Sequence, residues 1–206
     1  PILSHYYPGT TLASRSGSFR VLISADTTRN VKIVGKSGIK FRIGSGSAVT
    51  LPSEIGGETV ERWSIEQEGG SDSSLQYRTD GDWHTYKTWS GSAGRFEAST
   101  LGLILPDESV RAYRSALVAA HPSVGSSGRD TVNVLSLDNY TRGVVPREMP
   151  STWPAEALKA QAVAARTYGA RAIRSSSYYD ICDTTSCQVY GGASAEKSST
   201  NEAVTA

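Results

Sequence analysis

Glu148 is the residue best placed to do chemistry. Pro146 and Pro150 bracket it, and prolines interrupt a regular helix. This spacing predicts a rigid loop that holds one carboxyl group beside a mostly apolar helix. Partial desolvation there would suit the group to act as a general acid or base. The alternative is an ordinary exposed loop glutamate paired with Arg147 or a nearby lysine.

A long Ala-rich helix is predicted directly after this loop, from about residue 154 to Arg174. Ser151 or Thr152 could cap it, and Pro154 fits its first turn. Residues at three-to-four spacing form its apolar face, and they are Leu158, Ala162, Ala165, Tyr168 and Ala172.

Two polar side chains of this helix are candidate ligand contacts. Gln161 lies on or beside the apolar face, where a polar group needs a partner or points into a site. Arg166 could clamp a carboxylate or the hydroxyls of a sugar, and the alternative is a structural ion pair.

A cysteine pair follows the helix, at Cys182 and Cys187. This spacing is typical of a small disulfide loop in an exported protein or of half a metal site. Directly after it, Gln188 could hydrogen-bond a polar ligand and Tyr190 could stack on a sugar. The alternative for both is a strand edge pinned by a disulfide.

No metal site is predicted, because zinc needs three or four ligands. The cysteines supply two, and the three histidines (His5, His84 and His121) are remote in sequence. A glycine-rich phosphate loop, an HExxH motif and a G-x-S-x-G motif are all missing from the sequence, so nucleotide use, zinc proteolysis and serine hydrolysis have no support.

The elements that must position these residues are mostly strands. Alternating apolar and β-branched runs, bounded by turn residues, predict them. The run Val110–Ala120 has alanines that favour a helix, but its Val, Tyr and Leu residues favour a strand. A short helix capped by Asp138 is predicted before the prolines, and the last thirteen residues resemble the start of another helix. The predicted strands are Phe19–Ser24, Val31–Val34, Ile39–Ile43, Ala48–Leu51, Glu58–Gln67, LQYR, Trp83–Trp89, RFEA, LGLILP, Val110–Ala120 and Thr131–Leu137.

Charge and composition exclude some classes of partner. The 206 residues carry a formal net charge of +1, so a large basic field for nucleic acid is absent. No apolar run approaches the ~20 residues of a membrane-spanning helix. The chain starts at Pro1 without an initiator Met, from which we expect a trimmed or mature form of an exported protein.

Two long runs resemble one known family. These are GVVPREMPSTWPAEALKAQAVAARTY and YDICDTTSCQVYGG, and VNVLSLDNYTRGVVP resembles the same family's lead-in. Together they are similar to the stage II sporulation protein D (SpoIID) and LytB amidase-enhancer family, from about Tyr113 to Ala206. The likeness is far longer than a short motif.

The resemblance implies an activity and a set of site residues. SpoIID-like enzymes are lytic transglycosylases that cleave peptidoglycan between N-acetylmuramic acid and N-acetylglucosamine, and some prefer strands stripped of stem peptides. Glu148 takes the place of the catalytic carboxylate of the V-P-x-E-M motif, and no cofactor is implied. By position in the matching motifs, the side chains expected to grip the sugars are Gln161, Arg166, Tyr168, Gln188 and Tyr190.

Two departures from the family pattern bear on this expectation. Ser186 precedes Cys187 where some members have a zinc-binding histidine, which favours a disulfide here. The run Ile2–Thr10 resembles the tail of a family segment that begins G-H-G-x-G-M-S-Q, and the GHG part is missing.

The expected architecture is α+β. Residues 1–18 would be the tail of a family segment, residues 19–110 a β-rich accessory or inserted domain, and residues 111–206 a SpoIID-like catalytic core with an incomplete C-terminus. The expected setting is the bacterial cell wall, with glycan strands and a cell-wall amidase as partners. Rival roles are a non-catalytic glycan-binding module that enhances an amidase, and a structural β-rich domain at residues 20–110.

Overall fold

The computed structural model describes residues 17–123, 126, 128–174 and 176–206, so residues 1–16 of the predicted family-like tail lie outside the described residues. The described residues are rich in strands. These are β1 (Phe19–Leu22), β2 (Val31–Val34), β3 (Lys40–Ile43), β4 (Val49–Thr50), β5 (Glu54–Ile55), β6 (Glu58–Thr59), β7 (Arg62–Gly69), β8 (Asp72–Thr79), β9 (Asp82–Ser90), β10 (Gly94–Ile104), β11 (Val110–Ala120), β12 (Asp130–Leu135) and β13 (Ile181–Cys182).

Helices occupy only the C-terminal part of the described chain. They are α1 (Leu137–Glu148), α2 (Ala155–Ala172) and α3 (Ser198–Thr205), with a 3₁₀ helix at Ala193–Ala195 before the last of them. The predicted α+β class is therefore confirmed. Among the described residues, no helix is long and apolar enough to cross a membrane.

One large sheet links the two halves of the chain. Its strands run in the order β13-β1-β12-β11-β10-β2-β7-β8-β9, and β3 and β4 branch from β10. All pairs are antiparallel except the parallel pair of β1 and β13. The boundary predicted near residue 110 falls at the start of β11, which pairs with β10 along nearly its whole length. The division into domains remains a prediction, but the sheet is continuous across it.

Most predicted strands form close to their expected positions. The run Val110–Ala120 is a strand, as its branched and aromatic residues favoured. Two predictions were wrong in detail. Glu58–Gln67 divides into β6 and the longer β7, while the two short strands RFEA and LGLILP are one strand, β10. The pairing of β10 with β11 shifts register between Ala98 and Thr100. This irregularity lets β10 continue through the gap between the two predicted strands.

Helix α1 lies against the sheet through buried aromatic rings. The rings of Phe19 and Tyr140 are 4.6 Å apart at their centroids, and those of Tyr140 and Tyr190 are 5.3 Å apart. All three side chains belong to the main apolar core. The helix that ends at Glu148 is thus fixed by the core of the sheet.

The end of α1 corrects the predicted loop around Glu148. Pro146 lies inside the helix, which continues to Glu148. A proline this close to the end removes only one N–H bond of the last turn, and Met149 N–H still closes the turn onto Val145 O at 3.0 Å. Full burial of Val145 stabilises the helical conformation that a residue before proline otherwise avoids.

The start of α1 also differs from the prediction. Ser136, not Asp138, is the N-cap, and its hydroxyl accepts the N–H of Asn139 at 3.2 Å. The N-cap therefore lies two residues earlier than predicted, and Asp138 lies in the first turn of the helix, where a negative charge is favourable.

Helix α2 differs from its prediction at its ends and on its face. Pro154 is the N-cap, without a side-chain hydrogen bond, in place of Ser151 or Thr152, and the helix ends at Ala172. Gly169 takes the buried position expected for Tyr168, which is 50% exposed. A Cβ atom at position 169 would lie only 3.0–3.1 Å from the side chains of Leu137 and Tyr140. Because α1 approaches α2 so closely here, the buried face of α2 has a glycine at this position.

Candidate functional site

Glu148 is the last residue of α1, and its side chain is exposed at the helix end. Its Oε1 atom accepts a hydrogen bond of 2.8 Å from the backbone N–H of Val189. A carboxylate is disfavoured at a helix C-terminus, where the helix dipole is negative. The Val189 N–H offsets that effect and fixes the direction of the carboxylate. The prediction that the Glu148 carboxyl group is partly desolvated is wrong, because its side chain is exposed to solvent.

The segment that presents Val189 is held on both sides. Cys182 and Cys187 form a disulfide, as the cysteine spacing and the departure at Ser186 favoured. Beyond Val189, Tyr190 N–H donates to Asp183 O at 3.1 Å, and Gly191 N–H donates to Gly143 O at 3.0 Å. These bonds join the segment to the cysteine loop and to α1, so the donor to Glu148 has a defined position.

Tyr140 brings further predicted residues to the same place. Its hydroxyl donates to Gln188 Oε1 at 3.0 Å. Burial raises the pKa of Tyr140, and the nearby Tyr168 and Glu148 raise it further. Of the predicted residues, Gln188 contacts this hydroxyl directly, and Tyr168 is a half-exposed aromatic ring on α2. Tyr140 itself was missed from the sequence, where it counted only as part of a short helix.

Tyr190 does not agree with the predicted stacking on a sugar. Its ring is 2% exposed, and its hydroxyl donates to Asn133 Oδ1 at 2.7 Å. The Asn133 amide in turn donates to the carbonyl groups of Arg114 and Ala116, both at 2.8 Å. Tyr190 is thus a core residue that anchors the segment next to Glu148, and its ring has no open face.

Arg166 lies at the junction of the three helices. Its Nε atom is 3.0 Å from Asp138 Oδ1 in α1, and its Nη2 atom donates to Val204 O in α3 at 2.7 Å. These contacts agree with the structural alternative for Arg166. Gln161 is half-buried on α2, and no contact among the described residues joins it to Glu148. Sugar binding by either residue stays a prediction.

An open pocket of about 450 Å³ lies next to the residues that flank and hold Glu148. Val189, whose N–H holds Glu148, lines it together with Arg147 and Gly191. Strand β11 contributes Arg111 to the same lining. Arg147 was considered from the sequence only as a partner of Glu148, and Arg111 precedes the family-like run, so neither was predicted as a pocket residue.

The described residues contain no group of three His, Cys, Asp or Glu side chains that could hold a metal ion. Both cysteines are joined to each other. The side chains at and around this site offer the carboxylates of Glu148 and Asp183, hydroxyl and amide groups and the two arginines.

Comparison with known proteins places the site in a family segment. The family model described as Stage II sporulation protein, SpoIID, matches residues 125–206. The matched segment includes Glu148, the cysteine loop and all three helices, while most of the large sheet precedes it.

Individual relatives agree with this match. Over 63 residues the chain is 52% identical to the amidase enhancer of Bacillus subtilis. The aligned region is 31% of this chain and 8% of that protein. Over 70 residues it is 41% identical to stage II sporulation protein D of the same species, covering 31% of this chain and 20% of that one. An uncharacterized protein of Brachyspira hyodysenteriae is 50% identical over 64 residues, or 30% and 17% of the two chains.

The match thus spans a fifth or less of the length of these relatives. No solved structure is matched by the chain.

Proposed function

We propose that this protein is a peptidoglycan lytic transglycosylase in which Glu148 acts first as an acid and then as a base. The observation that carries the proposal is the exposed Glu148 carboxylate, held by Val189 N–H beside an open pocket. It lies inside the segment that matches the SpoIID family. The cell wall, outside the cytoplasm, is the setting that this substrate requires.

One carboxyl group is enough for this reaction. Protonated Glu148 donates its proton to the glycosidic oxygen as the bond from that oxygen to C1 of the muramic residue breaks. The resulting carboxylate accepts a proton from the C6 hydroxyl, whose oxygen attacks C1 and closes a 1,6-anhydro ring. Glu148 is then protonated again, and no water is consumed. A hydrolase would need a second carboxylate to activate water or to form a covalent intermediate.

The positioned groups around Glu148 support this cycle. Because Val189 N–H fixes one carboxylate oxygen, the other is left to exchange the proton. Tyr168 offers a half-exposed ring, and aromatic rings of this kind combine an apolar face with a polar edge. Gln188 is oriented by Tyr140 next to the carboxylate. In this proposal these two side chains contact the sugars.

A second candidate is a glycan-binding module without catalytic activity that enhances a separate cell-wall amidase. The name of one relative, amidase enhancer, favours it. The same exposed surface would then bind the glycan strand, and an amidase would be the partner.

Digestion of purified, peptide-free glycan strands separates the two candidates. We expect the wild-type chain to release products with anhydro-muramic ends, detected by mass spectrometry. Glu148→Gln should reduce their rate of formation by at least about a hundredfold, the usual scale of general acid–base catalysis. The matched control is Glu58→Gln on the exposed β6 strand, which should keep full activity.

Equal products from wild type and Glu148→Gln would exclude the proposed role of this carboxylate. Glycan binding by the wild type without any cleavage would favour the amidase-enhancing module.

A further inference from the structure

The pocket beside Glu148 carries two arginines without acidic partners. Arg111 and Arg147 both line it. Across the part of the chain that the structure describes, neither takes part in a salt bridge. This is unlike Arg114, three residues further along β11 than Arg111, which is paired with Glu196 through two bonds of 2.5 and 2.7 Å. The pocket arginines are therefore available to a ligand.

The rest of the lining suits a small anion with hydroxyl groups around it. Thr184 and Ser194 contribute hydroxyl groups, and Asp183 is the acidic side chain in the lining. Asp183 is 7% exposed, and its Oδ1 accepts the N–H of Ser24 at 3.0 Å. The lining itself therefore has two guanidinium groups and one hydrogen-bonded carboxylate.

Arg111 also lies near the buried side chain of Tyr113. Tyr113 is fully buried, and burial raises its pKa to about 12, against the opposing effect of the nearby Arg111.

We infer that this pocket binds a carboxylate group of the peptidoglycan strand through Arg111 and Arg147, while the glycosidic bond lies at Glu148. The inference rests on the proposed function for its substrate. N-acetylglucosamine has no carboxylate, whereas the muramic residue has a lactyl carboxylate, and a stem peptide replaces that group with carboxylates of its own. Arginine recognises a carboxylate with charge-assisted and often bidentate hydrogen bonds. The pocket would thus distinguish the two sugars on either side of the bond to be cleaved.

Binding measurements in the Glu148→Gln background test this without turnover. Isothermal titration calorimetry would compare three tetrasaccharides: peptide-free muramic-containing glycan, the same glycan with stem peptides, and neutral chitotetraose. Arg111→Gln and Arg147→Gln should each weaken binding of at least one carboxylate-bearing ligand by about tenfold, since a charged hydrogen bond contributes about 1.5–3 kcal/mol. Binding of chitotetraose should change less than twofold.

The ligand whose binding is weakened in the arginine variants identifies the source of the carboxylate. Weaker binding of the peptide-free glycan assigns the lactyl group, and weaker binding of the peptide-bearing glycan assigns the stem peptide. The matched control is Arg29→Gln, an exposed arginine that lines none of the described pockets, and it should bind all three ligands like its parent. Thermal unfolding of each variant checks that the fold is intact.

Three results would overturn the inference: no change with either arginine variant, an equal loss with all three ligands, or no binding by the parent. Failure of the proposed function appears separately, as an absence of anhydro-muramic products from the wild type. If the wild type cleaves glycan but the arginine variants bind like their parent, the carboxylate-binding inference is wrong and the proposed function stands.

Discussion

Gly143 shows how one residue sets the position of the Glu148 helix. A Cβ atom at Gly143 would lie 2.4 Å from Cε2 and 2.8 Å from Cδ2 of Tyr190. Such distances are far inside van der Waals contact, and the Tyr190 hydroxyl is tied to Asn133. The ring therefore cannot move aside without breaking a buried hydrogen bond.

We expect Gly143→Ala to lower the free energy of unfolding by about 2 kcal/mol. Alanine favours a helix over glycine by about 1 kcal/mol, but overpacking a core costs typically 1–3 kcal/mol and here also threatens the Tyr190 bond. Urea denaturation measures the difference. The control is Gly128→Ala, where the nearest atom to an added Cβ is 3.7 Å away and stability should change little. A Gly143→Ala variant as stable as the wild type would refute this packing argument.

At the scale of elements, Asp180 joins β1 to the segment that leads into the cysteine loop. The side chain is fully buried, and the Arg20 guanidinium contacts both of its oxygens, at 2.7 and 3.1 Å. The backbone N–H groups of Arg20 and Arg174 donate to it as well, each at 2.9 Å. Burial acts to raise the pKa of Asp180, but these hydrogen bonds and the Arg20 charge lower it below its ordinary value of 3.8. The carboxylate thus stabilises the fold in its ionised form.

Asp180 should make stability fall in acid. Its folded pKa is below its unfolded pKa, so its contribution is complete well above pH 3.8 and is lost as pH falls through the folded pKa. We expect Asp180→Asn to destabilise the protein by about 3 kcal/mol at pH 7, the scale for breaking a buried pair. Below pH 4 the difference from wild type should shrink.

Thermal unfolding between pH 2 and 7 would measure this convergence. The control is Asp82→Asn, at an exposed position, whose difference from wild type should stay small at every pH. A constant difference between Asp180→Asn and wild type would contradict the linkage. Some acid loss should persist in the variant, because hydrogen bonds from Arg114 and Asn201 outweigh burial and lower the pKa of Glu196 too.

At the scale of the whole molecule, the sheet crosses the expected domain boundary. β10 and β11 pair from Arg95 and Val118 to Ile104 and Val110, and β11 continues the sheet to β12 and β1. The main core likewise includes residues from both parts, from Phe41 and Trp63 to Tyr140 and Val204. The β-rich part and the helical part therefore share one framework.

We expect one cooperative unfolding transition for the chain. Three of the four tryptophans lie in β7 and β9, before residue 110, whereas helical circular dichroism reports on the part after residue 136. The two signals should change at the same urea concentration, because a ladder shared by both parts must break for either to unfold. As a control, residues 111–206 alone should fail to give a cooperative transition. Two separate transitions would favour the predicted independent domains.

Much of the fold could be predicted from local patterns. Val31–Val34 and Val110–Ala120 alternate or carry branched residues, and both form strands over those residues. Helix interiors were recognised, but their ends were not. Pro146 indicated a break, yet the buried Val144 and Val145 hold the helix through it. Tyr168 matched the apolar spacing of α2, but the crossing with α1 requires Gly169 at the buried position.

The sequence by itself predicted the α+β class from residue types and local patterns. It favoured the disulfide through the cysteine spacing and Ser186, and it singled out Glu148 through the family resemblance. Only the tertiary structure decided what surrounds Glu148. Its donor, Val189, is 41 residues away, and Arg111 reaches the same pocket from a strand before the family segment. Contacts over such separations depend on how the sheet and helices pack, which no local spacing encodes. The structure accordingly places Tyr190 in the core and two arginines in the pocket that Val189 also lines.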